Sequence, residues 1–267
     1  MKMKKWLTAF CTAATLLLTL SAFATEPGAS EAKDVTSEGK TVAAGRELSI
    51  LPEHKHTKKC KETSEEPALL VCILDRSGSM RDLAKDTIGG YNSFLEKQRK
   101  EPGEAAVTTV LFDDKYELVL ENEPLAKAPE MTSETYYARG MTALLDAVGR
   151  TIMDTAGRME KEGICPAKRR VVFLIMTDGL ENASREYDRA AVRKMISDTT
   201  EKYHWQYVFL GANIDSVAEA QSIGISSKNA ANYEASGDGV QDSFARMSAA
   251  ASAARAGGDA AEALEAP

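Results

Sequence analysis

Three short segments of the sequence carry side chains that can bind a metal ion through oxygen. They read Asp75-Arg76-Ser77-Gly78-Ser79, Gly140-Met141-Thr142 and Thr177-Asp178-Gly179. The candidate ligands are two carboxylates and three hydroxyls, namely Asp75, Ser77, Ser79, Thr142 and Asp178. A donor set without thiolate or imidazole suits Mg²⁺, Mn²⁺ or Ca²⁺ rather than Zn²⁺. The segments therefore predict a site for a hard divalent cation, and Mg²⁺ is the ion that we expect.

The first segment alone is weak evidence for such a site. An Asp-x-Ser-x-Ser string occurs by chance in roughly one sequence in ten or twenty of this length at ordinary composition. Its alternative explanation is a helix start that Asp75 or Ser79 caps. The string gains weight from its position, because it directly follows an uninterrupted apolar run and the other two segments arrive in the order that one site requires.

The apolar runs of the sequence predict six strands. Two uninterrupted runs, Ala68–Leu74 and Val171–Met176, are typical of central strands buried on both faces. Val107–Phe112 and Tyr116–Leu120 are separated by a short polar turn and predict a hairpin. The last two predicted strands are Trp205–Leu210 and the stretch around Asn229–Tyr233.

Helical patterns fall between these strands. They cover Asp82–Lys100, Thr142–Glu160, Arg185–Lys202, Ser216–Ser222, and an Ala-rich stretch from an Asp238 cap to about Arg255. Gly89-Gly90 interrupts the first of them, and we expect it to allow close packing on the sheet. Strands that alternate with helices predict an α/β domain with a mostly parallel sheet covered on both faces. Ligands of such sheets gather at the carboxyl ends of the strands, where the three segments lie.

At these segments the sequence resembles the von Willebrand factor A domain of bacterial exported proteins, and all five positions of its metal-ion-dependent adhesion site are matched. The resemblance covers about residues 68 to 255. It implies a doubly wound sheet of six strands in the order 3-2-1-4-5-6, with the third strand antiparallel. It also implies that Ser77, Ser79 and, in one state, Thr142 touch the metal, that Asp75 and Asp178 hold it directly or through water, and that one coordination position stays open.

This ligand set predicts a protein-binding function. Mg²⁺ surrounded mostly by neutral hydroxyls stays electrophilic and attracts an anionic oxygen, such as an Asp or Glu side chain of a partner protein. We expect a metal-dependent module for adhesion or assembly that is not an enzyme. Four polar residues in nearby loops are candidates for the rim of the site, and ordinary loop polarity is the alternative for each: Asp113, Asp114, Glu181 and Asn182.

Three other functions compete with this interpretation. One is a substrate-recruiting component of a larger envelope complex. Another is a Mg²⁺-dependent phosphotransferase of the haloacid-dehalogenase type, but that chemistry needs an acid where this sequence has Ser77. A serine hydrolase is weaker still, because the sequence lacks the Gly-x-Ser-x-Gly elbow and His204 is predicted at the opposite edge of the sheet.

The composition and the N-terminus predict an exported globular protein. The formal net charge of -7 makes nucleic acid a poor partner. Met1–Lys5 is basic, Trp6–Leu20 is mainly apolar, and Ala22-Phe23-Ala24 has the form of a signal-peptidase site. We expect release to the periplasm or the medium, with no membrane span after cleavage, and an uncleaved N-terminal anchor is the alternative. The predicted organisation is a signal peptide (1–24), a disordered spacer (25–66), one domain (67–256) and a flexible tail (257–267).

The cysteines suggest one disulfide. In the strand order that the resemblance implies, the first and fourth strands are parallel neighbours, so Cys60 and Cys165 fall at the same edge of the sheet. We predict a bridge between them, while Cys72 serves as a small apolar residue inside the first strand. The alternatives are two free thiols, or a soft-metal tract formed by Cys60 with His54 and His56.

Overall fold

The computed structural model describes residues 66 to 264. The predicted signal peptide, the spacer up to residue 65, and Cys60 lie outside the described residues. The strands are β1 (Ala68–Asp75), β2 (Ala105–Phe112), β3 (Tyr116–Pro124), β4 (Val171–Thr177), β5 (Gln206–Gly211) and β6 (Ala230–Asn232). The α-helices are α1 (Ala84–Lys100), α2 (Leu144–Glu162), α3 (Arg189–Tyr203), α4 (Ser216–Ser222) and α5 (Gly237–Arg255). Short 3₁₀ helices lie at Gly78–Leu83, Pro166–Lys168 and Ser227–Asn229.

The strands form one sheet in the order β3-β2-β1-β4-β5-β6. β3 pairs with β2 in the antiparallel sense, and every other pair is parallel. The two apolar strands β1 and β4 are neighbours in the middle, with Leu69 opposite Val171. The predicted fold class, a doubly wound sheet with an antiparallel third strand, is confirmed.

Alternate residues of β1 build two separate cores. Leu70, Cys72 and Leu74 belong to a cluster with buried residues of α1 and α5, whereas Leu69 and Val71 belong to a second cluster with α2 and α3. Successive side chains of a strand point to opposite faces, so a strand covered by helices on both faces must be apolar throughout. Each of the large aliphatic side chains contributes roughly 1.5–3 kcal/mol by burial.

α1 and α5 pack closely at a glycine. A Cβ atom at Gly90 would lie 2.2 Å from Cδ2 of Phe244 in α5. Gly89 has only an ordinary neighbour, Gln241 Nε2 at 3.7 Å from such an atom. The glycine pair was expected to pack on the sheet, and the structure instead shows Gly90 against the neighbouring helix. The sequence does not reveal this contact because α1 and α5 are far apart along the chain.

We expect Gly90→Ala to destabilise the protein. Overpacking against Phe244 costs about 1–3 kcal/mol, and the better helix propensity of alanine offsets about 1 kcal/mol of it. Gly157→Ala is the matched control, because a Cβ there meets nothing within 4 Å and the change should stabilise α2 by about 0.5–1 kcal/mol. Urea unfolding of both variants tests this, and a gain in stability for Gly90→Ala as large as that for Gly157→Ala would contradict it.

Two helices begin later or are capped differently than the sequence pattern predicts. α3 begins at Arg189 rather than Arg185, because Asp146 accepts the backbone N–H groups of residues 185 to 187 and Asp188 caps the helix through the Ala191 N–H. The predicted cap of α5 was Asp238, but Ser236 performs this role by accepting from the Gly239 N–H at 3.1 Å. A long-range acceptor such as Asp146 leaves no periodic signal in the sequence.

Residues beyond α5 pack on the domain. Ala260 is fully buried and Leu264 nearly so, and the Ala260 N–H donates to Gln206 Oε1 in β5 at 2.7 Å. The described part of the predicted flexible tail therefore lies against the sheet. In residues 66 to 264, no helix is both long and apolar enough to cross a membrane.

Both cysteines in the described range are buried. Cys72 lies inside β1 with no exposed surface, as expected for a small apolar residue. Cys165 precedes the 3₁₀ helix that leads into β4, at the amino end of the parallel strands. The Cys60–Cys165 bridge stays a prediction, because Cys60 lies outside the described residues.

Candidate metal centre

The three polar segments meet at the carboxyl edge of the sheet. Ser79 Oγ donates to Asp178 Oδ1 at 2.5 Å, and Ser77 Oγ lies 3.1 Å from Ser79 Oγ. The Gly78 N–H donates to the Gly140 carbonyl at 3.1 Å. The segment after β1 therefore contacts both the segment after β4 and the loop before α2.

Asp75 is held rigidly at the end of β1. Its Oδ1 accepts the Ser77 N–H at 2.6 Å, and its Oδ2 accepts the Thr177 hydroxyl at 2.5 Å. The Tyr136 hydroxyl donates to the Asp75 backbone carbonyl at 2.5 Å. The helix-cap alternative is not what the structure shows, because the following 3₁₀ helix has no side-chain cap bond at its first position.

The Thr142 hydroxyl faces the same space as Ser79. A Cβ atom at Gly179 would lie 3.6 Å from Thr142 Oγ1 and 3.8 Å from Ser79 Oγ. The Thr142 backbone is fixed by Asn182, whose Oδ1 accepts the Thr142 N–H and whose N–H donates to the Thr142 carbonyl, both at 2.9 Å. The five predicted donors thus lie around one point at the carboxyl edge of the sheet. This point is next to Gly179, which has no side chain to fill the space between them.

The two carboxylates are buried without a compensating cation. Asp75 is 1% exposed and Asp178 4% exposed, and neither forms an ion pair within the described chain. Burial raises the pKa of Asp75 to about 6 and also raises the pKa of Asp178. Buried charges are normally paired or bound to a metal. The donor set therefore fits a hard divalent cation.

The hydroxyls are essential to this fit. Among residues 66 to 264, no group of three or more His, Cys, Asp or Glu side chains is placed to hold a metal. Two carboxylates alone are too few for Mg²⁺, which requires six oxygens. Ser77, Ser79 and Thr142 supply the further protein oxygens, and of the five donors only Ser79 is exposed to solvent.

An ion cluster beside the site was missed by the sequence analysis. Arg76 has no exposed surface, and its Nη2 donates to Glu117 Oε2 at 2.5 Å. Its Nε lies 3.3 Å from Asp113 Oδ2, which is ion-pair distance without hydrogen-bond geometry. Arg139 Nε donates to the same Asp113 oxygen at 2.5 Å. Asp113 is fully buried in this cluster, so it is neither a rim residue nor an ordinary polar loop residue, the two roles considered for it.

The other predicted rim residues have mixed roles. Glu181 Oε2 accepts the Leu145 N–H at 2.9 Å in the first turn of α2, so its side chain fixes the loop instead of facing a ligand. Asn182 also fixes the loop through Thr142. Asp114 is exposed and contacts the loop, since a Cβ at Gly140 would lie 2.0 Å from its Oδ1. His204 is exposed at the end of α3, at the opposite edge of the sheet.

Comparison with known proteins identifies the fold. No protein-family model matches the chain, and neither does any curated protein. Among solved structures, the pilus adhesin SpaC from Lactobacillus rhamnosus GG is 14% identical over 71% of this chain and 30% of its own, with a TM-score of 0.53. Proximal thread matrix protein 1 from the mussel byssus is 12% identical over 69% and 48%, with a TM-score of 0.50.

A von Willebrand factor type A protein from Catenulispora acidiphila is 18% identical over 70% of this chain and 43% of its own, with a TM-score of 0.48. This chain spans less than half the length of each of these three structures. The strand order and the single antiparallel strand decide the fold type. The chain thus has an α/β fold of the von Willebrand factor A type. In this domain the five donors lie at the carboxyl edge of the parallel strands.

We expect metal binding to weaken as the pH falls through about 6. The buried Asp75 carboxyl has a raised pKa of about 6, so a proton competes with the cation below that pH. The affinity for Mn²⁺ or Mg²⁺ should fall about tenfold per pH unit below 6, because one bound proton must leave. Calorimetric titration between pH 5 and 8 measures this, and an affinity that is constant from pH 7 to 5 would contradict it.

The stability of the metal-free protein should change in the opposite direction with pH because of Asp75. A carboxyl whose folded pKa is raised binds its proton more tightly in the folded state, so lowering the pH from 7 toward 5 adds stability from Asp75. Unfolding in EDTA across the same pH range therefore separates the effect on folding from the effect on metal affinity.

Proposed function

We propose that this protein is a metal-dependent protein-binding module that captures an acidic side chain of a partner. Asp75, Ser77, Ser79, Thr142 and Asp178 would hold a Mg²⁺ ion, and Mn²⁺ or Ca²⁺ suits the same oxygens. The observation that carries the proposal is the meeting of two buried, uncompensated carboxylates and three hydroxyls at a place that opens to solvent at Ser79. A bound cation would supply positive charge that attracts a partner's carboxylate.

Hydrogen bonds within the chain hold the donor side chains in place. The Ser77 N–H and the Thr177 hydroxyl orient the two oxygens of Asp75, and the Ser79 hydroxyl orients Asp178. Asn182 and Glu181 fix the loop that carries Thr142. Because these contacts within the chain fix the donor side chains, partner binding needs little further ordering of the site.

We propose no catalytic role for these groups. Ser77 occupies the position where an aspartyl phosphotransferase needs its second acid. The Ser77 and Ser79 hydroxyls bond to each other and the Ser79 hydroxyl donates to Asp178, while His204 lies at the other edge of the sheet. The predicted signal peptide and the similar fold of a pilus adhesin support adhesion or assembly outside the cytoplasm as the setting.

A pull-down from cell-envelope extract tests the proposal. The full chain should retain a protein partner in Mg²⁺ and lose it in EDTA, and Ser77→Ala should fail to retain it. Ser227→Ala is the matched control, because Ser227 is exposed and lies outside the three polar segments. Capture of the same partner in EDTA or by Ser77→Ala would contradict a metal-dependent contact.

A further inference from the structure

Large apolar side chains are exposed mainly beside the candidate metal centre. Four such side chains are strongly exposed in the described part of the chain: Tyr137 at 45%, Met141 at 52%, Leu180 at 59% and Leu118 at 37%. The first three lie in the loops at the carboxyl edge of the sheet, whereas Leu118 lies on the edge strand β3. Single exposed apolar residues are ordinary, but their grouping around one site is typical of an interface.

Backbone contacts place these side chains next to the donors. Met141 directly precedes Thr142, and Leu180 directly follows Gly179. The two loops are joined by the Asn182 N–H, which donates to the Thr142 carbonyl at 2.9 Å. Met141 and Leu180 therefore lie in neighbouring loops, each directly beside a residue of the candidate metal centre.

Tyr137 lies next to the segment that follows β1. The guanidinium carbons of Arg76 and Arg139 lie 5.5 and 5.2 Å from its ring centre, which is cation–π distance. Arg76 precedes Ser77, and its carbonyl accepts the Arg139 N–H at 2.8 Å. The ring is thus held against the segment that supplies three of the five donors.

The two arginines that contact Tyr137 are already paired. Arg76 and Arg139 form ion pairs with Asp113 and Glu117, so these two offer little free positive charge to an acidic partner surface. The bound cation is then the main attraction for the partner's carboxylate. If the partner carried further charges beside its acidic residue, binding would bury those charges against Met141 and Leu180. These apolar side chains offer nothing to compensate for the lost hydration.

We infer that the partner presents its acidic side chain from within an apolar surface, which Tyr137, Met141 and Leu180 contact. This inference rests on the proposed function, since the metal binds the acidic group and the apolar side chains select its surroundings. The apolar contacts resemble the core of an ordinary protein interface, where aromatic residues and Met are enriched and charged residues depleted.

Selection from a peptide library tests the inference. The probes are random peptides with a fixed central Glu, displayed on phage and selected against the immobilised full chain in Mg²⁺. We expect apolar residues to be enriched on both sides of the Glu in peptides that EDTA releases. Enrichment of polar or charged flanks in EDTA-sensitive peptides would overturn the inference and leave the metal-dependent function intact.

A double variant and a control variant then measure how much the apolar side chains contribute to peptide binding. With a selected peptide as probe, the double variant Met141→Ser, Leu180→Ser should bind at least about tenfold more weakly. Its Mg²⁺ affinity, measured without peptide, should stay within about twofold of wild type, because neither side chain is a donor. Leu118→Ser, which removes a similarly exposed side chain on the edge strand β3 and outside the loops of the site, should also keep peptide binding within about twofold.

The outcomes separate the two proposals. Equal weakening by Leu118→Ser, or undiminished peptide binding by the double variant, would overturn the inference alone. If the selection yields no EDTA-sensitive peptide and calorimetry detects no Mg²⁺ binding, the proposed function is wrong and the inference falls with it.

Discussion

Asp75→Asn should abolish Mg²⁺ binding while the protein stays folded. Asp75 is the most buried of the five donors and has no cation partner in the described chain, so its negative charge is the strongest attraction for a cation at this place. Asparagine keeps an oxygen for the Ser77 N–H, and its amide N–H can donate to the Thr177 hydroxyl oxygen while that hydroxyl donates to the Gly179 carbonyl, so no local group loses its partner. Asp75 is one of only two anionic ligands in the predicted set, so its loss should make Mg²⁺ binding too weak to measure.

Two measurements check this expectation. Calorimetric titration should detect Mg²⁺ binding by wild type and none by Asp75→Asn. Saturating Mg²⁺ at about 100 times its dissociation constant should stabilise wild type by about 2.7 kcal/mol and the variant not at all. Asp82→Asn is the control, because Asp82 is exposed in the following 3₁₀ helix and should leave both results unchanged. Equal Mg²⁺ affinity in wild type and Asp75→Asn would contradict the ligand assignment.

The central part of the fold could be predicted from one sequence because burial on both faces leaves a strong local signal. β1 and β4 are apolar at every position before the terminal Asp75 and Thr177, which only a strand covered by two layers of helices requires. The polar residues that follow each strand then fall at the same edge by the geometry of parallel pairing. This explains why five donors scattered over about a hundred positions of the chain could be grouped before the structure was known.

The remaining features depend on contacts between distant segments. Asp146 delays the start of α3 by accepting three backbone N–H groups, and Gly90 matters only because Phe244 packs on it. Asp113 stands in a polar turn, which is typical of an exposed loop, yet it is fully buried against Arg76. Such pairings have no periodicity and no composition signal, so a single sequence cannot place them.

Asp113→Ala should destabilise the protein more than any surface substitution. The change leaves Arg76, which has no exposed surface, with Glu117 as its remaining ion-pair partner, and Arg139 loses its bond as well. Removing one member of a buried ion pair costs about 3–5 kcal/mol when the other charge is left unpaired, and the remaining Glu117 contact puts the expected loss near the lower end of that range. The Lys115 N–H also loses its acceptor, which lies at 2.7 Å.

The control for this variant is an exposed ion pair. Asp242→Ala breaks the Arg246–Asp242 contact on α5, which is 2.8 Å long and solvent-exposed, and should cost at most about 1 kcal/mol. Urea unfolding in EDTA measures both variants without a contribution from bound metal. A loss for Asp113→Ala no larger than for Asp242→Ala would show that water or Glu117 compensates Arg76 fully. The backbone of Arg76 links Asp75 to Ser77, so the expected loss of stability should be accompanied by weaker Mg²⁺ binding in the folded variant.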